Sequence, residues 1–365
     1  MGGNFKCQYI STLLSCENLH SRYVIGLKNC FRHKVVNLST MSSKPKIFVT
    51  RSDFPSNGIE LLKSKYDVST WDSKTKVITK DDIIKNLPGT SALFCSLNDK
   101  IDKEVLLSAG PSLKVVASMS VGVDHIDLAE CRTLGIKVGY TPNVLTEATA
   151  ELTIALLLAT SRRLFEANQQ LRTGGWSSWS PLWMCGPALK GSTVGIIGLG
   201  RIGQEVARKL KSFNVGKIIY TGRRDVKEAK ELGATKCNLE SLLKLSDFVI
   251  ATCALTPQTK GLFTAERFAL MKPTAIFINT SRGALVDHDA LYKALKGGKI
   301  HAAGLDVMTP EPLPTDHPLL QLNNCVLLPH IGSATNEARK AMSELTARNI
   351  IAGLEQTPLP AEYIS

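Results

Sequence analysis

From Lys46 onward, short apolar runs alternate with stretches in which apolar residues recur three or four positions apart. Runs of this length bounded by turn residues read as buried strands, and the three-to-four spacing reads as helix. In the first half the pattern predicts strands over 46–50 (KIFVT), 92–96 (ALFCS) and 114–118 (KVVAS), with helical stretches over 58–65 and 103–109. A long helical pattern runs from 146 to 171, with Thr146 as its expected N-cap and Glu147 and Glu151 in its first turns, and it breaks at Gly174–Gly175. A second series then predicts strands over 193–198, 217–221, 248–252, 275–279, 302–307 and 325–328. Helices are expected between most of them, over 201–213, 225–232, 239–244 and 287–295, and a last helix runs over 336–354. Such alternation predicts α/β architecture, two doubly wound parallel sheets covered on both faces. We expect one domain, residues 41–144 with 336–365, interrupted by a second, residues 145–335, the last helix returning to the first.

Composition narrows the class. A chain of 365 residues suits two domains, and 44% hydrophobic residues exclude disorder throughout. The longest apolar stretch, Leu152–Leu158, falls far short of the ~18 residues of a membrane span, so no membrane partner is expected. The net charge is +12, of which residues 1–40 supply four: Lys6, Arg22, Lys28, Arg32 and Lys34 against Glu17. The remaining basic residues are scattered and aromatics are only 6%, which excludes a nucleic-acid stripe and favours small anionic ligands. Nine cysteines, an odd number without a C-x-x-C pair, read as reduced thiols. No two histidines stand at a metal-ligand spacing, so no metal is expected. Residues 1–40 are basic, nearly free of acids and without a steady period, the composition of a mitochondrial-type presequence. A disordered or mis-started extension is the alternative, so the expected compartment is the cytoplasm, or the mitochondrion through residues 1–40.

The sharpest motif is Gly198-Leu199-Gly200-Arg201-Ile202-Gly203, a G-x-G-x-x-G that follows an apolar strand and opens a helix. Gly198 permits the tight turn, Gly200 lets a pyrophosphate approach the backbone, and Gly203 lets helix and strand close together. About twenty residues on, where an NAD site carries an acid, the chain reads Tyr220-Thr221-Gly222-Arg223-Arg224. Two guanidiniums there suit a 2′-phosphate, so NADPH is expected as the coenzyme with NADH weaker. Three further segments stand at the ends of later strands, where such sheets bind ligands: Asn279-Thr280-Ser281-Arg282-Gly283, Leu305-Asp306-Val307 leading to Glu311, and Pro329-His330-Ile331-Gly332-Ser333. An Arg for an anion, a His near neutrality as general acid and a Glu to support it form a coherent set. Val121 and Gly122 follow the strand at 114–118 and are placed to offer main-chain N–H groups to a carboxylate. Trp176, Trp179 and Trp183 sit within Gly174–Gly186 as a local aromatic core, a subunit interface or a lid.

With these segments in hand, residues 46–360 resemble the D-isomer-specific 2-hydroxyacid dehydrogenases. The runs that carry the resemblance include SMSVGVDHID, GGWSSWSPLWMCG, STVGIIGLGRIGQ, FINTSRG, AAGLDVMTPEPLP and LLPHIGSAT. YTGRR and the tryptophan-rich loop narrow it to the branch that reduces glyoxylate and hydroxypyruvate. The resemblance implies a Rossmann nucleotide domain inserted into a flavodoxin-like substrate domain, with the active site in the cleft between them. It implies that Arg282 binds the substrate carboxylate and polarises the keto oxygen, that His330 protonates that oxygen as hydride arrives, and that Glu311 supports His330. Val121, Gly122, Ser333 and Trp179 are expected to contact substrate. Gly198, Gly200, Arg201, Ile202, Gly203, Arg223, Arg224, Thr280, Asp306 and Gly332 are expected to hold the coenzyme, with Asp306 by the nicotinamide carboxamide. It also implies a homodimer acting on a small 2-keto or 2-hydroxy acid. The alternatives are a dehydrogenase for a longer 2-keto acid and an NAD(H)-binding corepressor-type protein. The corepressor would carry an acid after the second strand of the nucleotide domain, where this chain has TGRR.

Overall fold

The computed structural model describes residues 44–364. The expected leader, residues 1–40, lies outside them, as do Cys7, Cys16, Cys30, His20 and His33.

The first series of runs builds a five-stranded sheet: β1 (Lys46–Val49), β2 (Asp67–Thr70), β3 (Ala92–Cys95), β4 (Val115–Ser118) and β5 (Lys137–Gly139). The helices between them are α1 (Ser56–Lys63), α2 (Lys80–Asn86), α3 (Lys103–Ser108) and α4 (Leu128–Thr133). All pairs are parallel and the strand order is β2-β1-β3-β4-β5, the flavodoxin-like order. After α5 (Thr146–Ser161) and α6 (Leu164–Arg172) the second series begins. Its strands are β6 (Thr193–Ile197), β7 (Lys217–Thr221), β8 (Ala234–Lys236), β9 (Phe248–Ala251), β10 (Ile276–Asn279), β11 (Ala302–Leu305) and β12 (Cys325–Leu327). Its helices are α7 (Arg201–Lys211), α8 (Ala229–Leu232), α9 (Leu239–Leu245), α10 (Ala265–Ala269) and α11 (His288–Lys296), and α12 (Asn336–Leu354) ends the series. The order β12-β11-β10-β9-β6-β7-β8 reverses direction at β6, as in dinucleotide-binding sheets.

Both sheets are buried on both faces, which is why their central strands read as unbroken apolar runs rather than alternating ones. Helix α12 packs on α1 and against β3, β4 and β5, so the end of the chain rejoins the first sheet, while α5 packs on β10, β11 and β12. Among the described residues no helix is long and apolar enough to cross a membrane.

Three local expectations change. Thr146 is the first helical residue and not the cap; Leu145 precedes it, without a side-chain cap bond. The single helix expected over 146–171 is two, because Arg163 turns left-handed (φ 53°) and its guanidinium closes on Glu166. The helix expected over 225–232 shrinks to one turn, since Asp225 pairs with Lys236 at 2.8 Å instead of starting it. The short edge strands β2, β5 and β8 had no apolar run to announce them: β2 is mostly exposed, and β5 and β8 are three residues each.

Candidate active site

Strand β6 ends in a turn that only glycine allows. Gly198 has φ 96°, and a Cβ there would lie 2.6 Å from the Cα of Cys253. Across the turn a Cβ on Gly203 would meet the Gly198 carbonyl at 2.3 Å, so α7 and β6 approach through two missing side chains. Gly200 is the N-cap of α7, makes no side-chain cap and has nothing within 4 Å of where its Cβ would be. The first turn of α7, with Arg201 and Ile202, thus points uncapped N–H groups and the positive end of its dipole at open space, which fits a pyrophosphate. At the end of β7, Gly222 also faces open space, and Arg223 and Arg224 are exposed with no ion-pair partner among the described residues. The nearest acid, Asp225, is committed to Lys236.

At the carboxyl end of β10, the Asn279 side chain donates to the Arg282 carbonyl and accepts from the Ser281 amide, shaping the loop that presents Arg282. Thr280 is buried against Thr153, hydroxyl to hydroxyl at 2.8 Å. At the end of β11, Asp306 is fully buried and each of its oxygens accepts one amide, from Ile331 and Gly332, both at 2.8 Å. Burial pushes its carboxyl up to about 6 in spite of those two N–H groups and the charge of His330. Asp306 thereby ties down the loop after β12, in which His330 takes the left-handed conformation (φ 54°). A β-carbon residue adopts that region only when its surroundings dictate it.

His330 Nδ1 lies 2.8 Å from Glu311 Oε2, while Glu311 Oε1 accepts the Met308 amide. Burial alone would raise the Glu311 carboxyl, but the bonds from His330 and Met308 and the nearby charges of His330 and Arg282 hold it below its ordinary value. The carboxylate accepts only, so Nδ1 carries the proton and Nε2 is left for chemistry.

The facing wall comes from the loop after β4. Ser120 Oγ donates to the Gly122 carbonyl at 2.7 Å and meets Ser118 Oγ at 2.7 Å, which in turn meets His125 Nε2 at 2.9 Å. Burial pushes the His125 imidazole down to about 4, against the pull of Asp124, so the ring is neutral and structural. The amides of Val121 and Gly122 have no protein acceptor among the described residues. Across the crevice the Arg282 guanidinium reaches this loop: Nε donates to Asp124 at 3.0 and 3.3 Å, and Nη1 donates to the Ser281 carbonyl at 2.8 Å. Nη2 comes so near Gly122 that a Cβ there would lie 1.7 Å from it.

One crevice of about 330 Å³ is lined together by Val121, Gly122, Ile202, Thr280, Arg282, Asp306, His330, Gly332 and Ser333. Every one of these was singled out in the sequence. Trp179 does not join them within a single chain; it is 81% exposed, and with Trp176 at 54% it excludes a local aromatic core for the loop. Asp124 and the Ser118–Ser120–His125 chain were missed as contributors. Their only sequence signal was a cluster of polar residues at the end of a buried strand. Among the described residues no group of three or more metal-ligating side chains exists.

Residues 154–332 match the family model of the D-isomer specific 2-hydroxyacid dehydrogenase, NAD binding domain. The human glyoxylate reductase/hydroxypyruvate reductase is 52% identical over 320 residues, 87% of this chain and 97% of that protein. The chain belongs to the D-isomer specific 2-hydroxyacid dehydrogenases. The glyoxylate reductase of Pyrococcus furiosus is 46% identical over 313 residues, 85% of this chain and 92% of its own. Among solved structures, the NADPH-dependent glyoxylate/hydroxypyruvate reductase of Sinorhizobium meliloti, in complex with NADP and malonate, superposes with a TM-score of 0.77. It is 34% identical, covering 88% of this chain and 97% of that one. As a member of this dehydrogenase family the protein is an oxidoreductase that uses a nicotinamide coenzyme.

Proposed function

We propose that this dehydrogenase reduces glyoxylate and hydroxypyruvate to glycolate and D-glycerate, with NADPH preferred over NADH. The observation that carries the proposal is that His330, paired with Glu311 at 2.8 Å, lines one crevice together with Arg282, Val121 and Gly122. That arrangement offers a proton and a carboxylate site a short span apart, as a small 2-keto acid requires.

When bound, a reduced nicotinamide coenzyme would supply the hydride for the substrate's C2. The rest is done by the chain. Arg282 and the main-chain amides of Val121 and Gly122 receive the carboxylate, which orients the keto group. Because Nε of Arg282 is engaged by Asp124 and Nη1 by the Ser281 carbonyl, Nη2, beside Gly122, makes that contact. His330 gives its Nε2 proton to the keto oxygen, and Glu311 holds Nδ1–H and balances the imidazolium until then. Ser333 lines the same space as a further polar contact. For the coenzyme, Gly198, Gly200, Arg201, Ile202 and Gly203 cradle the pyrophosphate, Thr280, Asp306 and Gly332 border the nicotinamide side, and Arg223 and Arg224 attract the 2′-phosphate. The unpaired state of those two arginines and the commitment of Asp225 to Lys236 support the preference for NADPH.

We also propose that residues 145–335 form the nucleotide domain and residues 41–144 with 336–365 the substrate domain, which the packing of α12 on the first sheet supports. A second copy of the chain is the proposed cover for the loop bearing Trp176, Trp179 and Leu182, three large apolar side chains left at least half exposed. Light scattering of the purified protein tests that homodimer. Fusing residues 1–40 to a fluorescent protein separates a mitochondrial address from a cytoplasmic leader. The functional proposal itself is tested by following NADPH oxidation with glyoxylate, hydroxypyruvate and a neutral five-carbon 2-keto acid. The first two are expected to turn over faster; a faster five-carbon acid would replace them as the substrate.

A further inference from the structure

Beyond α12, residues 357–363 return to the five-stranded sheet and run antiparallel beside its edge strand β5. The Tyr140 amide donates to the Ala361 carbonyl at 3.2 Å, the Tyr363 amide donates to the Val138 carbonyl at 2.8 Å, and Gly139 bridges Glu362. Asn349 of α12 fastens the segment. Its side chain is fully buried, with Nδ2 donating to the Tyr140 carbonyl at 3.0 Å and Oδ1 accepting the Ala361 amide at 2.9 Å. A Cβ on Gly139 would lie 2.7 Å from the Cβ of Asn349, so the glycine leaves the space that the buried amide needs. Lys137 Nζ donates to the Thr357 carbonyl at 3.0 Å, and Leu359 is buried. A buried amide satisfied at both ends specifies one arrangement of the segments it joins.

This anchoring fixes the place of Tyr363. Its ring stands edge-on to that of Tyr140, with centroids 5.4 Å apart and planes at 85°, the arrangement that aromatic quadrupoles favour. Tyr363 also lines the catalytic crevice, together with Ile202, Thr252 and Arg282. The side chain is left 37% exposed, and its hydroxyl has no hydrogen-bond partner among the described residues. Buried tyrosines ordinarily find a partner for that hydroxyl, and half-exposed ones are favoured where a ligand brings both a flat apolar face and a polar group. The short acid does not need it, because Arg282, the Val121–Gly122 amides, His330 and Ser333 serve its polar atoms. The crevice extends past those groups to Ile202, in the first turn of α7, and to Thr252, just after β9.

We infer that Tyr363 is a binding residue for the nicotinamide half of the coenzyme. Its ring packs on that half and its hydroxyl donates to a ribose or phosphate oxygen. The inference rests on the coenzyme placement proposed above, with the pyrophosphate at the glycine turn. The glycine turn belongs to the seven-stranded side and Tyr363 to the five-stranded side, so the coenzyme is held from both walls of the crevice.

The test is calorimetric binding of two ligands, without turnover, to the full-length protein and to its Tyr363→Ala and Tyr363→Phe variants. One ligand is NADPH; the other is adenosine 2′,5′-bisphosphate, which carries the adenosine half alone. Tyr363→Ala loses the ring contact and the hydroxyl's bond, so its Kd for NADPH is expected to rise about tenfold, while its Kd for the bisphosphate stays as it was. Tyr363→Phe loses the hydroxyl alone and is expected to raise the NADPH Kd by about fivefold. An NADPH affinity untouched by Tyr363→Ala overturns the inference. So does an equal weakening of both ligands, which would show that the segment only braces the fold. Should Tyr363→Ala fail to fold, Tyr363→Phe decides, since it keeps the packing on Tyr140; NADPH must then bind more weakly and the bisphosphate unchanged, and any other result overturns the contact. NADPH binding that depends on Tyr363, in a protein that reduces neither glyoxylate nor hydroxypyruvate, would keep this contact and remove the reductase function.

Discussion

On the seven-stranded side of the crevice the working groups are side chains carried beyond strand ends: Arg282 after β10 and His330 after β12, which line it, and Glu311 beyond β11, which holds His330. On the five-stranded side they are the main-chain amides of Val121 and Gly122, held in place by a buried chain of hydroxyls from Ser120 through Ser118 to His125. The two walls meet where Arg282 reaches across to Asp124. The difference separates tasks. One wall holds groups that change protonation or bear charge in the reaction. The other offers fixed dipoles that treat substrate and transition state alike. Interactions made equally in both states lower KM without raising kcat, and only those stronger in the transition state raise kcat. Replacements on the first wall are therefore expected to act on kcat, and replacements on the second on KM.

The largest effect is expected at His330. His330→Ala should lower kcat by about 10²–10⁴-fold, the usual worth of a general acid, while coenzyme binding followed by fluorescence stays as it was. Near-normal turnover at neutral pH would remove His330 from the proton's path and break the comparison. Next comes the coenzyme. Replacing Arg223 and Arg224 together with serine should erase a preference for NADPH of roughly a hundredfold in kcat/KM and leave NADH use little changed. Because both arginines are exposed, the preference in the unmodified enzyme should also shrink as salt rises. A preference that ignored both changes would put the 2′-phosphate elsewhere.

Arg282 stands on the boundary between the walls. Arg282→Lys keeps the charge but loses the planar fork that spans Asp124 and Gly122, so about a tenfold or larger loss in kcat/KM is expected, with KM raised and kcat lowered together. An unchanged KM would place the substrate carboxylate on another group. The smallest kinetic change belongs to the second wall. Ser120→Ala removes the hydroxyl's bonds to the Gly122 carbonyl and to Ser118; the bond that fixes Gly122, of about 1 kcal/mol, corresponds to roughly a fivefold rise in KM for hydroxypyruvate at constant kcat. A fall in kcat at constant KM would show that this loop is needed in the transition state and would collapse the distinction.

Much of this was legible in the sequence because the deciding neighbours were close in the chain. The glycine turn needs only the strand before it and the helix after it. Arg282, Glu311 and His330 each follow a buried apolar run, and parallel strands bring their ends to one edge. The cross-cleft ion pair was not legible, since Asp124 and Arg282 are 158 residues apart and each reads alone as a surface charge. Nor was the break at Arg163, where no glycine or proline marks the left-handed residue. Asp306 was expected beside the nicotinamide. It does line the crevice, but its two oxygens are taken by the Ile331 and Gly332 amides, a fold-back that spacing alone does not reveal.

That fold-back has a signature in stability. Burial pushes the Asp306 carboxyl up to about 6, so between the ordinary carboxyl range near ~4 and that value the folded state binds a proton that the unfolded chain has released. The stabilisation from this group is then present at the acid end and falls as pH rises through that window. The urea midpoint of the unmodified protein, compared with Asp306→Asn, should decline over that window and run parallel above it. A constant difference throughout would mean that Asp306 is ionised across the whole range.

The most direct test of the whole account is the product. Purified protein supplied with hydroxypyruvate and NADPH should oxidise the coenzyme and form glycerate of the D configuration, resolved by chiral chromatography, in one-to-one yield. L-glycerate, or no coenzyme oxidation with a folded protein, would contradict the assignment of this crevice to D-specific reduction of small 2-keto acids.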